Sequence, residues 1–202
     1  MGTKDKAVRI FFTGVGGQGT LLATRFVGEA ALQEGLPVLM SEIHGMAQRG
    51  GVVESSVVMG NAFSPTIADG EADIVVAFEP LEAARALPKC SPLSMVITGT
   101  TPVPPFTVTV GQSTYPDVKK LLKMIGEKVR RLITVDADAL ARSANAERSS
   151  NVAMIGVLAG TGLLPISKES WGRALTVILP GKLLEQNVRA FESGFVFGEQ
   201  SA

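Results

Sequence analysis

Residues 7–40 read AVRIFFTGVGGQGTLLATRFVGEAALQEGLPVLM. The opening run, Ala7 to Thr13, is β-branched and aromatic and runs straight into a glycine turn, the composition of a buried strand that ends at a tight bend. From Gln18 to Glu34, Leu22, Phe26 and Ala30 recur at four-residue spacing, the apolar stripe of a helix that Gly35-Leu36-Pro37 then stops. Pro37 to Met40 begins a second strand. Strand, turn, helix and strand in this order form a βαβ unit, which predicts a parallel sheet covered by helices and a right-handed crossover.

The alternation continues outward. Gly51 to Met59 (GVVESSVVM), Ile74 to Phe78 (IVVAF), Met95 to Thr98 and Leu132 to Val135 read as strands, and 81–87 and 117–128 as helices. Prolines break TGTTPVPP at 98–105, and the alternation of Phe106, Val108 and Val110 with Thr107 and Thr109 predicts a half-exposed strand after it. Lys119, Lys120, Lys123 and Lys128 form a solvated helix face, and Asp136 or Asp138 caps the short helix after residue 135. From Asn151 the chain is helical, over 151–163, over 168–178 behind a Ser167 cap, and over 181–193. Gly156 and Gly160 let the first of these helices approach another element closely, in the core or at a subunit interface. The expected fold is α/β: a three-layer, Rossmann-like, mostly parallel sheet with helices on both faces and a helical C-terminal part, in a single domain spanning 1–202.

Composition narrows the function. Lys+Arg and Asp+Glu are 19 each, so no net field recruits nucleic acid or an anionic membrane. The single cysteine, Cys90, excludes an internal disulfide and falls short of the roughly four thiolates that hold an iron–sulfur cluster. With no signal peptide, this predicts the cytoplasm. The apolar run NVAMIGVLAGTGLL (151–164) is too short for the roughly 20 residues of a membrane span. No metal site is predicted.

Two stretches carry candidate chemistry. Gly14, Gly16 and Gly19, with Gly17 and Gln18 between them, stand in GxGxxG spacing between a strand and a helix, where backbone N–H groups and the positive helix end accept phosphate. Three readings stay open: a dinucleotide site completed by Glu42 on the ribose, a site for another phosphate ligand, or a structural turn. A P-loop is excluded, because Thr20 and Leu21 stand where Lys-Ser/Thr would close it. An adenylating enzyme lacks its arginine motif and zinc cysteines here. The second stretch, SEIHGMAQRGG (41–51), gathers Glu42, His44, Gln48, Arg49 and Gly50 after the second strand, on the ligand-binding edge of an open α/β sheet. His44, the only histidine, has no nucleophile to serve, so a structural or interface hydrogen bond suits it better than acid–base catalysis. Arg49 offers a planar fork to an anionic ligand or to a carboxylate across a subunit interface. The two stretches should line one edge of the sheet.

In order along the chain, GVGGQGTLLA (14–23), SEIHGMAQRGG (41–51), SPTIADGEADIVVAFEP (64–80) and NVAMIGVLAGTGLLP (151–165) resemble the gamma-type subunit of 2-oxoacid:ferredoxin oxidoreductases. HGMAQRGG is most similar to the small beta subunit of the indolepyruvate enzymes. The resemblance implies one non-redox component of a complex that decarboxylates a 2-oxoacid on thiamine diphosphate with magnesium, passes electrons through iron–sulfur clusters to ferredoxin, and forms an acyl-CoA. Thiamine-binding and iron–sulfur subunits would be its partners, and the chain alone would bind no cofactor and be inactive. It also implies that the segments 14–19 and 42–51 are the surfaces that face the partner-held site or the partner subunits. A homodimer in isolation is expected, because the partner-binding surface would be apolar. The alternative is a free-standing dinucleotide-dependent oxidoreductase that uses the glycine turn.

Overall fold

The computed structural model describes residues 7–43, 51–179 and 181–202. Its centre is a six-stranded sheet made of β1 (Val8–Val15), β2 (Val38–Ile43), β3 (Val52–Met59), β4 (Ala72–Ala77), β5 (Cys90–Gly99) and β6 (Arg131–Val135), in the order β2-β3-β1-β4-β5-β6. Pairs β1–β4, β4–β5 and β5–β6 are parallel, while β3 runs antiparallel to both β1 and β2. The sheet is therefore mostly parallel, as expected, with one reversed strand inside it. That strand corrects the simple βαβ reading. β3 leaves β2 as a hairpin and inserts beside β1, so β1 and β2 are next-nearest neighbours rather than a pair.

Strand residues alternate between two cores. Ile10, Phe12, Val57, Val76 and Ile97 face a helical layer of α1 (Thr20–Gln33), α6 (Ser150–Gly160), α7 (Lys168–Ile178) and α8 (Gly181–Ser201). Phe11, Val58, Val75 and Val96 face α2 (Pro80–Arg85) and α4 (Val118–Gly126) on the other side. The larger core centres on a ring cluster, with Phe26 5.8 Å from Trp171 and 5.9 Å from Phe191. Burying rings of this size and tilt adds roughly 1 kcal/mol per pair beyond area alone.

In the C-terminal layer α6 and α8 lie against each other on glycines. A Cβ on Gly156 would overlap the Phe191 carbonyl oxygen, and one on Gly194 would overlap that of Ala153; Gly160 and Gly198 repeat the pattern one turn on. The expected close approach at Gly156 and Gly160 is thus made inside the core. α8 continues to Ser201, beyond the end expected at 193, because Phe195 and Phe197 continue to pack on the layer. The helix read over 151–163 ends at Gly160 instead, where Gly162 turns left-handed at φ 64°.

The strand expected at 106–110 is absent: Phe106–Thr109 is a short helix, α3. Pro105 at its N-cap cannot donate to a ladder, and the chain here has already left β5 beyond the sheet, so no neighbouring strand is in reach. Caps follow the sequence more closely. Asp117 accepts from Lys120 N–H, Asp136 from Ala139 N–H and Ser167 from Ser170 N–H, fixing the starts of α4, of α5 (Ala137–Ser143) and of α7.

Candidate functional site

The crossover from β1 runs to one side of the sheet and that from β4 to the other, so the chain paths diverge between these two strands. Ligands of open α/β sheets bind at such a point, outside the carboxyl ends of the strands. Here a cleft of about 320 Å³ opens there. Phe78, Val103, Val135 and Met154 give it an apolar wall, and Gly17, Gln18, Arg148 and Asn151 a polar mouth. Two helix starts meet at this mouth. Gly19, the N-cap of α1, packs so closely on Asn151 of α6 that an added Cβ would overlap the amide nitrogen. Neither helix has a side-chain cap bond, so their first-turn N–H groups and positive ends favour an anion. Arg148 reinforces that preference, and Asp138 and Glu147 share the lip. Asp138 is engaged internally, accepting the Ser150 hydroxyl at 2.5 Å.

The glycine turn divides into parts with different tasks. Gly14 makes room for packing: a Cβ there would lie 2.9 Å from Thr20 Oγ1 and 3.1 Å from Phe78 Cβ. Gln18 works as a stitch, its Oε1 accepting Val15 N–H at 2.7 Å and its amide donating to the Phe78 carbonyl at 3.2 Å, which locks β1 to β4 beneath the cleft. Gly16 donates to the Gly51 carbonyl at 2.8 Å, so the end of the second stretch does adjoin the turn. Gly17 and Gly19 take positive φ, 103° and 83°, and Gly17 is exposed with open space around it. Of the turn, Gly17 and Gly19 are the parts placed to meet a ligand. A second hollow beside Gly16, Gly17, Thr20 and Val53 adjoins them, and the buried Thr20 hydroxyl has no hydrogen-bond partner among the described residues.

Glu42 is not brought to the turn. It pairs with Ser55, which pairs with Phe12, so it stands level with the middle of β1 and two strand spacings away, about 10 Å. A ribose-binding carboxylate belongs on the strand next to β1, a place the antiparallel β3 occupies. His44, Gln48, Arg49 and Gly50 lie outside the described residues.

Two carboxylates that the sequence reading passed over are buried next to the cleft. Glu79, two residues beyond β4 and fully buried, caps α2 by accepting Glu82 N–H at 2.8 Å. It also accepts the Tyr115 hydroxyl and, at 3.4 Å, Val103 N–H. Burial raises the Glu82 carboxyl above its ordinary range, although Arg85, bonded at 2.6 Å, pulls the other way. The signal was in the sequence: Glu79-Pro80 follows the apolar run Ile74 to Phe78, where a carboxylate needs a reason. Cys90 lies elsewhere, at the start of β5. Burial pushes its thiol up to about 11, so it stays protonated and is a poor metal ligand.

Comparison with known proteins gives the family. A family model described as pyruvate ferredoxin/flavodoxin oxidoreductase matches residues 9–197. The indolepyruvate oxidoreductase subunit IorB of Methanothermobacter thermautotrophicus is 41% identical, over 92% of this chain and 95% of its own length. IorB of Thermococcus kodakarensis is 37% identical over 94% and 95%. Among solved structures, a 2-oxoglutarate:ferredoxin oxidoreductase from Magnetococcus marinus aligns with a TM-score of 0.75 at 21% identity, over 98% of this chain and 32% of that one. At that identity the match shows a shared fold. The family match and the two IorB relatives, covered almost end to end, place this chain in the pyruvate ferredoxin/flavodoxin oxidoreductase family, as a subunit of a 2-oxoacid:ferredoxin oxidoreductase.

Proposed function

We propose that this chain is the non-redox subunit of an indolepyruvate-type oxidoreductase, which oxidatively decarboxylates an aryl 2-oxoacid to its acyl-CoA and delivers electrons to ferredoxin. The observation that carries the reading is the gradient of similarity. IorB subunits are 34–41% identical to this chain, whereas ketoisovalerate and pyruvate/ketoisovalerate subunits are 25–27% identical. Thiamine diphosphate, magnesium and the iron–sulfur clusters belong to partner subunits in this reading. A single, protonated cysteine suits a subunit that carries no electrons. The chain acts as one cytoplasmic domain, inactive until it joins its partners.

Its own contribution is to bind and orient. The mouth formed by Gly17, Gly19, Asn151 and Arg148 meets the anionic part of coenzyme A or of the oxoacid. Gln18 keeps β1 and β4 in register below it. Bound coenzyme A would supply the thiol that accepts the acyl group.

The test is reconstitution. Co-expression with thiamine-binding and iron–sulfur partners should give a brown complex that reduces a viologen dye with indolepyruvate in preference to pyruvate. Arg148→Ala should raise KM for coenzyme A or oxoacid about tenfold with kcat little changed, as for an interaction equal in ground and transition states. Arg49→Ala should do the same if it binds ligand, or release the partners if it pairs across the interface. Turnover by the isolated chain, or micromolar binding of NAD(P) to it, sinks the proposal in favour of the dinucleotide alternative.

A further inference from the structure

Phe78 and Glu79 follow β4 and part to opposite sides of the sheet. Phe78 joins the larger core and lines the cleft, while the Glu79 carboxylate reaches the start of α2. A carboxylate as fully buried as Glu79 is costly unless its oxygens are bonded, and here each oxygen has its own task.

Oε2 accepts Glu82 N–H at 2.8 Å and caps α2. That task does not require a glutamate, since Asp117, Asp136 and Ser167 cap three other helices of this chain with shorter side chains. What the longer side chain adds is Oε1, which accepts the Tyr115 hydroxyl and, at 3.4 Å, Val103 N–H. Burial first, then the bond to Glu79, raises the Tyr115 hydroxyl above its ordinary range, so it stays a donor. The other buried carboxylate beside it, Glu82, spends its bond to Arg85 within α2.

Val103 is part of the apolar wall of the cleft. It stands in Pro102-Val103-Pro104-Pro105, and because proline has no N–H, Val103 supplies the one backbone donor of that stretch. Glu79 takes it. Upstream, the segment is next held at Thr100, whose N–H donates to the Val135 carbonyl at 2.9 Å. The same carboxylate therefore joins the chain just beyond one wall residue, Phe78, to the backbone of another, Val103.

We propose that Glu79 is a positioning residue for ligand binding: through Val103 N–H and the Tyr115 hydroxyl it fixes the wall against which the apolar part of an amphipathic anion lies, while Arg148 at the mouth meets the charge. The proposal rests on the reading above, that this cleft takes coenzyme A or the oxoacid. A wall already held in its bound position spares the ligand the cost of ordering it, so losing the hold weakens binding and leaves the chemical step alone.

The experiment is steady-state kinetics on the reconstituted complex, with KM and kcat measured for indolepyruvate and for coenzyme A. Glu79→Gln, which keeps the length and replaces one acceptor by a donor, should raise one of the two KM values about fivefold with kcat little changed, and it should be the same KM that Arg148→Ala raises. Val103→Ala should raise that KM by a similar factor. Because Glu79 acts through Val103, the double variant should stay near about fivefold and not reach the roughly 25-fold of independent effects. Asp117→Ala, which removes the cap of α4, should lower the melting temperature and leave both KM values as they are. Should Glu79→Gln fail to assemble, Tyr115→Phe carries the test, with an expected rise of about threefold in the same KM. Unchanged KM values in these variants, multiplied effects in the double variant, or a rise confined to the KM that Arg148→Ala leaves alone each overturn the positioning role while the functional reading stands. If Arg148→Ala itself moves neither KM, the reading of the cleft falls and the proposal with it.

Discussion

Two regions of this molecule are rich in glycine for unlike reasons. In the seam between α6 and α8, Gly156, Gly160, Gly194 and Gly198 keep ordinary helical conformation, and each would drive a Cβ into a backbone carbonyl of the other helix. In the turn from Gly14 to Gly19, Gly17 and Gly19 adopt left-handed backbone, and Gly17 faces open space. One set of glycines brings two elements together and the other bends the chain around a mouth. Spacing alone does not separate them, since four-residue and GxGxxG patterns each state only where side chains are missing.

The largest predicted effect tests the seam. Gly194→Val should cost on the order of 3 kcal/mol, read by urea denaturation, because the overlapped atom is backbone and cannot rotate away. A loss below about 1 kcal/mol would mean that the helices part easily and the seam is not tightly packed. The turn comes next. Gly19→Ala should cost roughly 1–2 kcal/mol from the left-handed conformation, with Asn151 forced to move as well. A helical glycine that touches nothing provides the contrast of opposite sign: Gly172→Ala on the exposed face of α7 should stabilise by about 0.5–1 kcal/mol, since a Cβ there meets no atom within 4 Å.

The smallest effect concerns the far end of the helix that starts at the turn. Glu34, at the end of the helix that begins at the turn, accepts Ser167 Oγ at 2.6 Å and Ser167 N–H at 2.8 Å, tying α1 to the cap of α7. The Ser167 hydroxyl, with its N–H, lowers the Glu34 carboxyl from 4.5 to about 2. A carboxyl depressed in the folded state stabilises fully above its unfolded value and loses that contribution as pH falls from about 4.5 toward 2. Glu34→Gln should therefore lower the urea midpoint slightly at pH 7 and flatten its fall between pH 4.5 and 2. An acid limb identical to that of the wild type would show that the link carries no stability.

Much of the fold was legible. The periodicity of residues 7–40 located β1, α1 and β2, and Asp117, Asp136 and Ser167 announced three helix starts through their cap chemistry. The reversed strand β3 was not, because GVVESSVVM has the same alternation whichever way it runs. Phe106–Thr109 misled for a related reason: its alternation satisfies a strand, but a strand also needs a neighbour, and none lies beyond the end of β5. At the site, the glycine turn was found by spacing. The stitching role of Gln18, the displacement of Glu42 and the burial of Glu79 depend on which strand lies beside β1 and on what 100–116 covers.

By itself, then, the sequence determined the α/β class, the place of the glycine turn at a strand end, and the absence of cysteines for a cluster, because these follow from local composition and short-range period. Only the tertiary structure decided the insertion of β3, the meeting of two helix starts at Asn151 and Gly19, and the pinning of a loop on Glu79. Each of these joins residues far apart in the chain, where pairing is chosen by competition among packed surfaces rather than by local preference.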